Sequence, residues 1–345
     1  MSTSPRLEHL KRELDVMTPG HTGRAPASVR EQSRGRTAGD PREIPMRGWK
    51  DIAVRSWGAV SEDNIFLVAG GVTYAVLLAL FPGLAALVSL YGLLLDPAQV
   101  EQQVEALSTI LPPESAQMIG AELHTLVSAP HGSLSIGAVV AVLFALWSAS
   151  RGMSGLITAF DIAYQQKETR GFFKFNLIAI GLTVLMLIGG TVTIALVGVL
   201  PAAIQIIGLG GSTKWLLLAL DWPLLIVVLM TGLAVMYRYA PNRASPQWRW
   251  ISPGAVVATV LWLLGSAGFT VYVAHFNSYD RTYGSLGGVV VMLTWLYLSA
   301  FVALFGAVVN AQAERQTVAD STVGPPKPMG GRGAYAADTV DEAGS

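Results

Sequence analysis

The chain has 345 residues, of which 52% are hydrophobic and 13% charged, and its 23 basic and 23 acidic side chains balance. A typical soluble domain is about 25% charged. The charges here are also uneven, because residues 65–313 hold 18 of them in 249 positions and the two ends hold the other 28 in 96. This distribution excludes a single soluble domain as well as a collagen-like or wholly disordered chain. Without cysteine, disulfides, thiolate catalysis and cysteine-ligated metals are excluded too.

Residues 1–44 are rich in Arg, Ser, Thr, Gly and Pro and contain few large apolar side chains. Such a segment cannot bury enough apolar surface to offset its chain entropy, so the composition predicts a disordered basic tail. The tail either contacts anionic lipid or serves only as a charged flank that sets the membrane orientation. It has no aromatic residue, so we expect no nucleic-acid partner.

The segment 45–64 differs from this tail because its apolar residues recur at steps of three and four. They are Trp49, Ile52, Ala53, Trp57 and Val60. The spacing predicts an amphipathic helix, and tryptophan suits the headgroup layer of a membrane. We expect an interfacial helix that is either a structural lead-in to the first span or a docking helix for a partner.

Six apolar stretches follow, each long enough to cross about 30 Å of hydrocarbon, which takes about 20 helical residues. They cover residues 65–95, 134–160, 174–207, 215–237, 251–276 and 284–313. They lack the alternation of a β-barrel strand, and backbone groups in lipid must pair within their own segment. The predicted fold class is therefore all-α, a polytopic membrane protein with six transmembrane helices in residues 65–313. Pro82 predicts a kink or break in the first helix.

The segments between these stretches indicate the orientation of the chain. Residues 96–133 form a long acidic loop without Lys or Arg, and two apolar stripes separated by Pro112-Pro113 predict a helical cap on the outer face. Alternate segments, the two tails included, hold 21 Lys and Arg on one side and 2 on the other. The positive-inside rule then places both termini in the cytoplasm. Residues 314–345 contain Gly-Pro-Pro-Lys-Pro and Gly-Gly-Arg-Gly, which predicts a disordered cytoplasmic tail.

Ionisable or polar residues near the membrane are the candidate substrate-binding residues. A charge at the centre of the bilayer costs about 2.5–3.5 kcal/mol or more, so such groups are usually paired or face water. For each candidate the alternative is a structural role, as an interface anchor, an internal salt bridge or part of a tight turn. The candidates are Arg151, Asp221, Arg238, Asp280 and Tyr283.

Small residues recur every fourth position along the first and last spans, as at Ala75, Ala79 and Gly83. Such ladders let helices approach closely in lipid. They are compatible with packing inside one bundle and with a homo-oligomer. The five histidines form no paired metal motif and the chain has no P-loop, so we expect no metal and no cofactor.

Five segments also carry a family resemblance: LVAGGVTYAVLLALFP at 67–82, LWSASRGMSGLITAFDIAY at 146–164, YRYAPN at 237–242, WISPGAVVATVLW at 250–262, and the stretch 279–311. They resemble the YihY/BrkB family of bacterial inner-membrane proteins over roughly residues 46–313. The resemblance implies six spans with both ends inside. One departure is visible at 306–310, where the family often has Gly-Ala-Glu-Leu-Asn and this chain has Gly-Ala-Val-Val-Asn.

The resemblance implies little chemistry, although some members of the family look like exporters of envelope lipids or solutes. The proline in the first span, the charges near the membrane and the glycine-rich outer entry to the last span favour a transporter or flippase-like exporter of a lipid or small amphipathic solute, with membrane lipids as its partners. The alternative is a non-catalytic scaffold that docks an envelope complex through residues 46–63 and the outer cap. The family's old label, ribonuclease BN, is regarded as mistaken. Phosphodiester hydrolysis usually needs clustered carboxylates for metals, and the cytoplasmic side of the core offers only Asp161 and Glu168. We therefore expect no enzyme.

Overall fold

A computed structural model describes residues 33–94, 136–194, 212–275 and 286–341. Within these ranges the regular structure is helical, apart from a single antiparallel bridge between Pro246 and Thr322. This confirms the predicted all-α class. The α-helices are α1 (Met46–Glu62), α2 (Ile65–Leu94), α3 (Ile136–Ala163), α4 (Phe172–Ile194), α5 (Ser212–Tyr239), α6 (Trp248–His275), α7 (Leu286–Glu314) and α8 (Tyr335–Asp338).

Helices α2 to α7 coincide with the six apolar stretches predicted from the sequence. Among the described residues, four helical segments are long and apolar enough to cross a membrane, and Pro223–Tyr239 in α5 is a shorter apolar helix. The four segments are Ile65–Leu84, Phe172–Thr193, Trp248–Val273 and Gly287–Glu314. The chain is therefore a multi-pass membrane protein, while the count of six crossings stays a prediction. Helix α2 continues through Pro82, so the break that this proline predicts does not occur.

Successive long helices run in opposite directions, which brings one set of helix ends together. Gln165, just after α3, hydrogen-bonds Asp63 just before α2 and accepts a hydrogen bond from Arg315 just after α7. Asn242, just after α5, donates its backbone N–H to Asp161 near the end of α3. The ends of α3, α5 and α7 thus lie beside the starts of α2, α4 and α6. We call this end of the bundle the polar end.

Helices α2 and α3 approach closely because small residues face each other across their contact. A Cβ atom on Gly152 would lie 2.5 Å from the Cβ atom of Ala79, and one on Gly155 would lie 3.0 Å from that of Ala75. The small-residue ladder in α2 therefore packs against α3 within the bundle, which is one of the two uses that the sequence left open. Gly152 therefore cannot be enlarged without moving the helices apart, whereas a Cβ atom on Gly155 needs a shift of only a few tenths of an ångström at Ala75.

Apolar side chains fill the bundle interior near the polar end and also cover its outer surface. Ile157, Phe160, Tyr237 and Leu304 are almost completely buried together. Large apolar side chains also point outward along the long helices, where a soluble protein would carry polar ones. Among them are Leu67, Leu78, Leu143, Phe144, Leu177 and Leu264. This outward apolar surface is the one that lipid would cover.

Helix α1 has one face against the bundle and one face exposed. Its buried residues are Gly48, Ile52, Ser56, Ala59 and Val60. Met46, Val54 and Trp57 remain largely exposed. The small buried face lets α1 lie against α7, and Trp57 is left free for the headgroup layer, in keeping with the predicted interfacial helix.

The described parts of both terminal segments are packed, which differs from the disorder that their composition predicts. Residues 33–44 bury Ala38 and Ile44 in a cluster with Ile52 and Trp250. In the segment 315–341, the guanidinium group of Arg332 is buried and donates hydrogen bonds to four backbone carbonyl oxygens, those of Val318, Ala319, Lys327 and Ala337. A prediction from composition considers only how much apolar surface a segment can bury. This segment is stabilised by the hydrogen bonds that Arg332 donates to backbone carbonyl oxygens.

Several predicted features lie outside the described residues. They are the tail before residue 33, the outer cap at 96–133, the segment 276–285 and the last four residues.

Candidate functional site

A buried ion pair joins the loop after α5 to the end of α7. The guanidinium group of Arg243 donates to both carboxylate oxygens of Glu314 at 2.9 and 2.6 Å, and the two side chains are 0% and 1% exposed. Ser321 donates its hydroxyl to the same carboxylate, and the guanidinium carbon of Arg243 lies 4.9 Å from the ring centroid of Tyr164. Two parallel hydrogen bonds and a stacked ring compensate the desolvation of both charges.

Next to this pair, α6 and α7 cross at nearly backbone contact. The side-chain oxygen of Asn310 accepts a hydrogen bond from the backbone N–H of Gly254 at 2.7 Å, and its amide nitrogen donates to the hydroxyl of Tyr164 at 3.3 Å. A Cβ atom on Gly254 would lie 2.0 Å from the carbonyl oxygen of Gly306. Asn310 therefore ties α3, α6 and α7 together. Val308, where the family pattern has glutamate, is buried among apolar residues.

A second polar cluster links the loops that follow α3 and α5. Asp161 accepts from the backbone N–H of Asn242 at 2.6 Å, and one of its carboxylate oxygens lies 3.8 Å from a guanidinium nitrogen of Arg170. Arg170 also donates to Glu168 and to the carbonyl of Ala240. Asp161 lies just beyond the predicted span 134–160, and burial raises its pKa to about 6. This cluster fixes the two loops relative to each other.

A third cluster joins α1 to the C-terminal segment. The carboxylate of Asp341 lies between Arg55 of α1 and Arg315, the residue after α7. Its Oδ2 atom is 3.2 Å from Nε of Arg55, and its Oδ1 atom accepts a hydrogen bond from Arg315. A small cavity beside this cluster is lined in part by Asp63, Gln165 and Tyr335.

Arg151 lies on the outer surface of α3, where α3 meets α4. Its guanidinium group donates to the side-chain oxygen of Asn176 at 2.7 Å and stacks at 4.7 Å on the ring of Trp147, a residue that is itself 47% exposed. Asn176 lies one turn inside the start of α4, because its amide donates to the carbonyl of Phe172. Among the described residues, no carboxylate lies within ion-pair distance of Arg151.

Arg238 lies at the same end of the bundle, in the last turn of α5. It donates to the carbonyl oxygen of Pro246 at 2.6 Å, and its guanidinium carbon lies 4.6 Å from the ring centroid of Trp248. Its Nε atom is buried without a hydrogen-bond partner. No described carboxylate pairs with it, so Arg238 is an arginine held by a carbonyl and an aromatic ring.

The candidate binding residues are thus spread over the described structure. Arg151 lies between α3 and α4, and Arg238 lies between α5 and α6, with no contact between the two. Asp221 belongs to α5, in the first part of that helix, for which only the backbone is described. Asp280 and Tyr283 fall in 276–285, outside the described residues. The predicted role of these three residues in substrate binding stays a prediction.

Three buried polar residues that join distant parts of the chain escaped the sequence analysis. Arg243, Glu314 and Asn310 bridge partners that lie between 56 and 146 positions away along the chain. A partial signal was present, because Asn310 and Glu314 are polar residues one helical turn apart at the end of an apolar span. Nothing in the sequence, however, identifies Arg243 as the partner of Glu314.

Taken together, these features define a multi-pass α-helical membrane protein with a dense buried polar network at one end. Its sequence matches the family described as virulence factor BrkB over residues 56–329, and the chain belongs to that family. The family predicted from the five segments is thereby confirmed.

Relatives with recorded names are also membrane proteins or carry a ribonuclease-like name. The chain is 33% identical over 247 residues to the ribonuclease-like protein YfkH of Bacillus subtilis, which covers 69% of this chain and 86% of YfkH. It is 27% identical to a UPF0761 membrane protein of Tolumonas auensis, with 73% and 81% covered. It is 25% identical to one of Pseudoalteromonas translucida, with 75% and 85% covered. No solved structure matches the chain.

Proposed function

We propose that the protein is a transporter or flippase-like exporter that moves a lipid or a small amphipathic solute across the bacterial plasma membrane. Membership of a membrane-protein family supports the membrane setting. The excess of Lys and Arg on one set of loops supports cytoplasmic termini, and the polar end then faces the cytoplasm. Six crossings, an even number, fit that orientation.

The observation that carries this proposal is Arg151 on the lipid-facing seam between α3 and α4. A permanently charged guanidinium group is exposed there beside an exposed Trp147, and no described carboxylate neutralises it. A charged group near the hydrocarbon is usually paired or faces water, and this one has no described carboxylate partner, which favours a functional role over a purely structural one. Asn176 holds the group in position without cancelling its charge.

The chemistry of this seam fits a molecule with an anionic head and an apolar tail. The planar guanidinium fork of Arg151 suits a phosphate or carboxylate, which it can bind through two hydrogen bonds. The indole of Trp147 presents an apolar surface next to that fork. The neighbouring exposed side chains Leu143 and Phe144 continue the apolar surface along α3. The substrate class is therefore an anionic phospholipid or an amphipathic anion.

The test is lipid movement in proteoliposomes that contain fluorescent phosphatidylglycerol in a phosphatidylcholine background. The wild-type protein should speed the exchange of the label between leaflets over empty vesicles. A hydrogen bond to a charged group contributes about 1.5–3 kcal/mol, which corresponds to a loss of tenfold or more for Arg151→Gln. Arg151→Lys should retain part of the rate because it keeps the charge without the fork.

Arg47→Gln is the matched control, since it removes an exposed arginine of α1 that is distant in sequence from the seam and should leave the rate unchanged. If Arg151→Gln moves phosphatidylglycerol at the wild-type rate, the seam is not the binding site. If the wild type moves neither phosphatidylglycerol nor a water-soluble amphipathic anion, the transport proposal fails.

The second candidate is a non-catalytic scaffold for an envelope complex. The packed terminal segments favour it, because they and α1 build a folded polar surface outside the spans. Crosslinking in intact cells should then recover a partner through residues placed on the exposed face of α1, such as Val54. Recovery of a partner together with absent lipid movement would favour the scaffold.

We also propose that the protein is not a nuclease. Among the described residues, no group of three or more Asp, Glu or His side chains lies close enough together to hold a metal ion, and Asp161 and Glu168 are engaged with Arg170 and with backbone N–H groups. RNA hydrolysis by the purified protein, lost in Asp161→Asn, would contradict this.

A further inference from the structure

We propose that Arg55 and Arg315 form an anion site for a phosphate group, and that Asp341 occupies this site as an internal ligand. This site is separate from the Arg151 seam, and its test does not depend on transport. It lies at the polar end, between α1 and the residue that follows α7.

Two cations from different elements converge on one carboxylate there. Oδ2 of Asp341 lies 3.2 Å from Nε of Arg55, Oδ1 binds Arg315, and the three side chains are only 16–21% exposed. The backbone N–H of Asp341 also donates to the carbonyl of Arg315. Asp341 therefore occupies a pair of guanidinium groups that come from two different elements.

The carboxylate does not use all the donors around it. Nε of Arg315 is buried without a hydrogen-bond partner. Oδ2 of Asp341 lies within ion-pair distance of Nε of Arg55 but accepts no hydrogen bond. A terminal phosphate has three oxygens and up to two negative charges, so it would match two guanidinium forks better than one carboxylate does. Two other carboxylates lie near the arginines: Asp51 near Arg55 and Asp63 near Arg315. Each has another partner, because Asp51 pairs with Arg34 and Asp63 accepts hydrogen bonds from Gln165.

The side-chain amides of two glutamines hold Arg55 in place independently of Asp341. Its guanidinium group donates to the side-chain oxygen of Gln312 at 3.2 Å and to that of Gln316 at 2.5 Å. Both glutamines lie at the end of α7 or within two residues beyond it, so they hold Arg55 beside Arg315 without help from Asp341. The positions of the two cations therefore depend on α1 and on the end of α7.

Only the last residues of the C-terminal segment need to move for the site to open. Arg332 fixes the preceding residues through its four carbonyl bonds, and Asp338 accepts from the backbone N–H groups of Gly330, Arg332 and Gly333. Beyond α8, by contrast, residues 339–341 are attached to the bundle chiefly through Asp341. A ligand that competes with this one side chain would detach residues 339–341 from the bundle and leave the preceding residues 315–338 folded.

The test measures phosphate binding by full-length protein in uncharged detergent, using equilibrium dialysis of labelled inorganic phosphate at pH 7.5. A short tether gives an internal ligand an effective concentration in the millimolar range. Removing the competing carboxylate by Asp341→Asn should therefore tighten phosphate binding by about tenfold or more. Adding Arg55→Gln and Arg315→Gln to that variant should abolish the gain. Glu62→Gln removes an exposed acid of α1 and is the matched control.

Competition then distinguishes the source of the phosphate. Dihexanoyl phosphatidic acid that displaces the label from Asp341→Asn at a lower concentration than unlabelled phosphate supports a lipid headgroup. Displacement only at higher concentrations supports free phosphate. If Asp341→Asn and the wild type bind phosphate equally, or if loss of both arginines leaves the gain intact, the site is refuted. Should Asp341→Asn not fold, as judged by gel filtration, Asp341→Ser is measured in its place.

Discussion

Replacing Gly254 by alanine tests the close crossing of α6 and α7. The added Cβ atom would lie 2.0 Å from the carbonyl oxygen of Gly306 and 2.5 Å from Cγ of Asn310. Both neighbours are held in place, the first by the backbone of α7 and the second by the hydrogen bond from the N–H of Gly254. Helices α6 and α7 must therefore separate by more than 1 Å to restore an ordinary van der Waals distance.

The expected cost has two parts. Overpacking at a tight contact costs about 1–3 kcal/mol. Separating the helices also breaks the hydrogen bond to Asn310 and leaves a buried polar group without its partner, which costs about 1–3 kcal/mol more. We therefore expect Gly254→Ala to lower the free energy of unfolding by several kcal/mol.

Unfolding by titration with a denaturing detergent, followed by circular dichroism, measures this change. Gly268→Ala is the matched control on the same helix, because a Cβ atom there meets nothing within 4 Å. Alanine should be neutral or slightly stabilising at Gly268, since it is the better helix former by about 1 kcal/mol. If the two variants unfold at the same detergent concentration, the close crossing of α6 and α7 is refuted.

Two further predictions concern buried charges at the polar end. Arg243→Met should cost about 3–5 kcal/mol because it leaves Glu314 buried without its cation, and adding Glu314→Leu should recover most of the loss; an equal or larger loss in the double variant would contradict this pairing. Burial raises the pKa of Asp161 from 3.8 to about 6, so the protonated form is favoured in the folded state. Its contribution to stability is complete below pH 4 and is lost as the pH rises through 6. Asp161→Asn should therefore reduce the fall in melting temperature between pH 4.5 and 7, and an unchanged fall would count against the raised pKa.

How far the site could be predicted depended on whether its parts are adjacent in sequence. Arg151 was recognisable because a lone cation interrupts an apolar stretch, and this signal is local. Its partner Asn176 was not, since Asn176 belongs to the next helix and its facing position depends on how α3 and α4 pack. Arg55 and Arg315 gave no signal at all, because each is an ordinary interfacial cation until the fold brings them together.

The terminal segments show a different limit. Their low apolar content predicts disorder, yet residues 33–44 and 315–341 are packed where they are described. Thr317 donates its hydroxyl to the carbonyl of Ala38, and the backbone N–H of Val318 donates to the carbonyl of Arg36. Residues 279 and 282 positions apart stabilise each other in this way, and composition alone cannot predict such a pairing.

The sequence by itself determined the helical class, the family and the positions of α2 to α7. Each of these follows from local physics, because a long apolar stretch in lipid must satisfy its own backbone hydrogen bonds and so must be helical. The tertiary structure alone decided which charges meet. Helix packing decides three contacts: the ion pair of Arg243 with Glu314, the close approach of Gly254 to Gly306, and the position of Asp341 between two arginines. Packing is set by the shapes of surfaces that are far apart in the chain, and no local pattern encodes it.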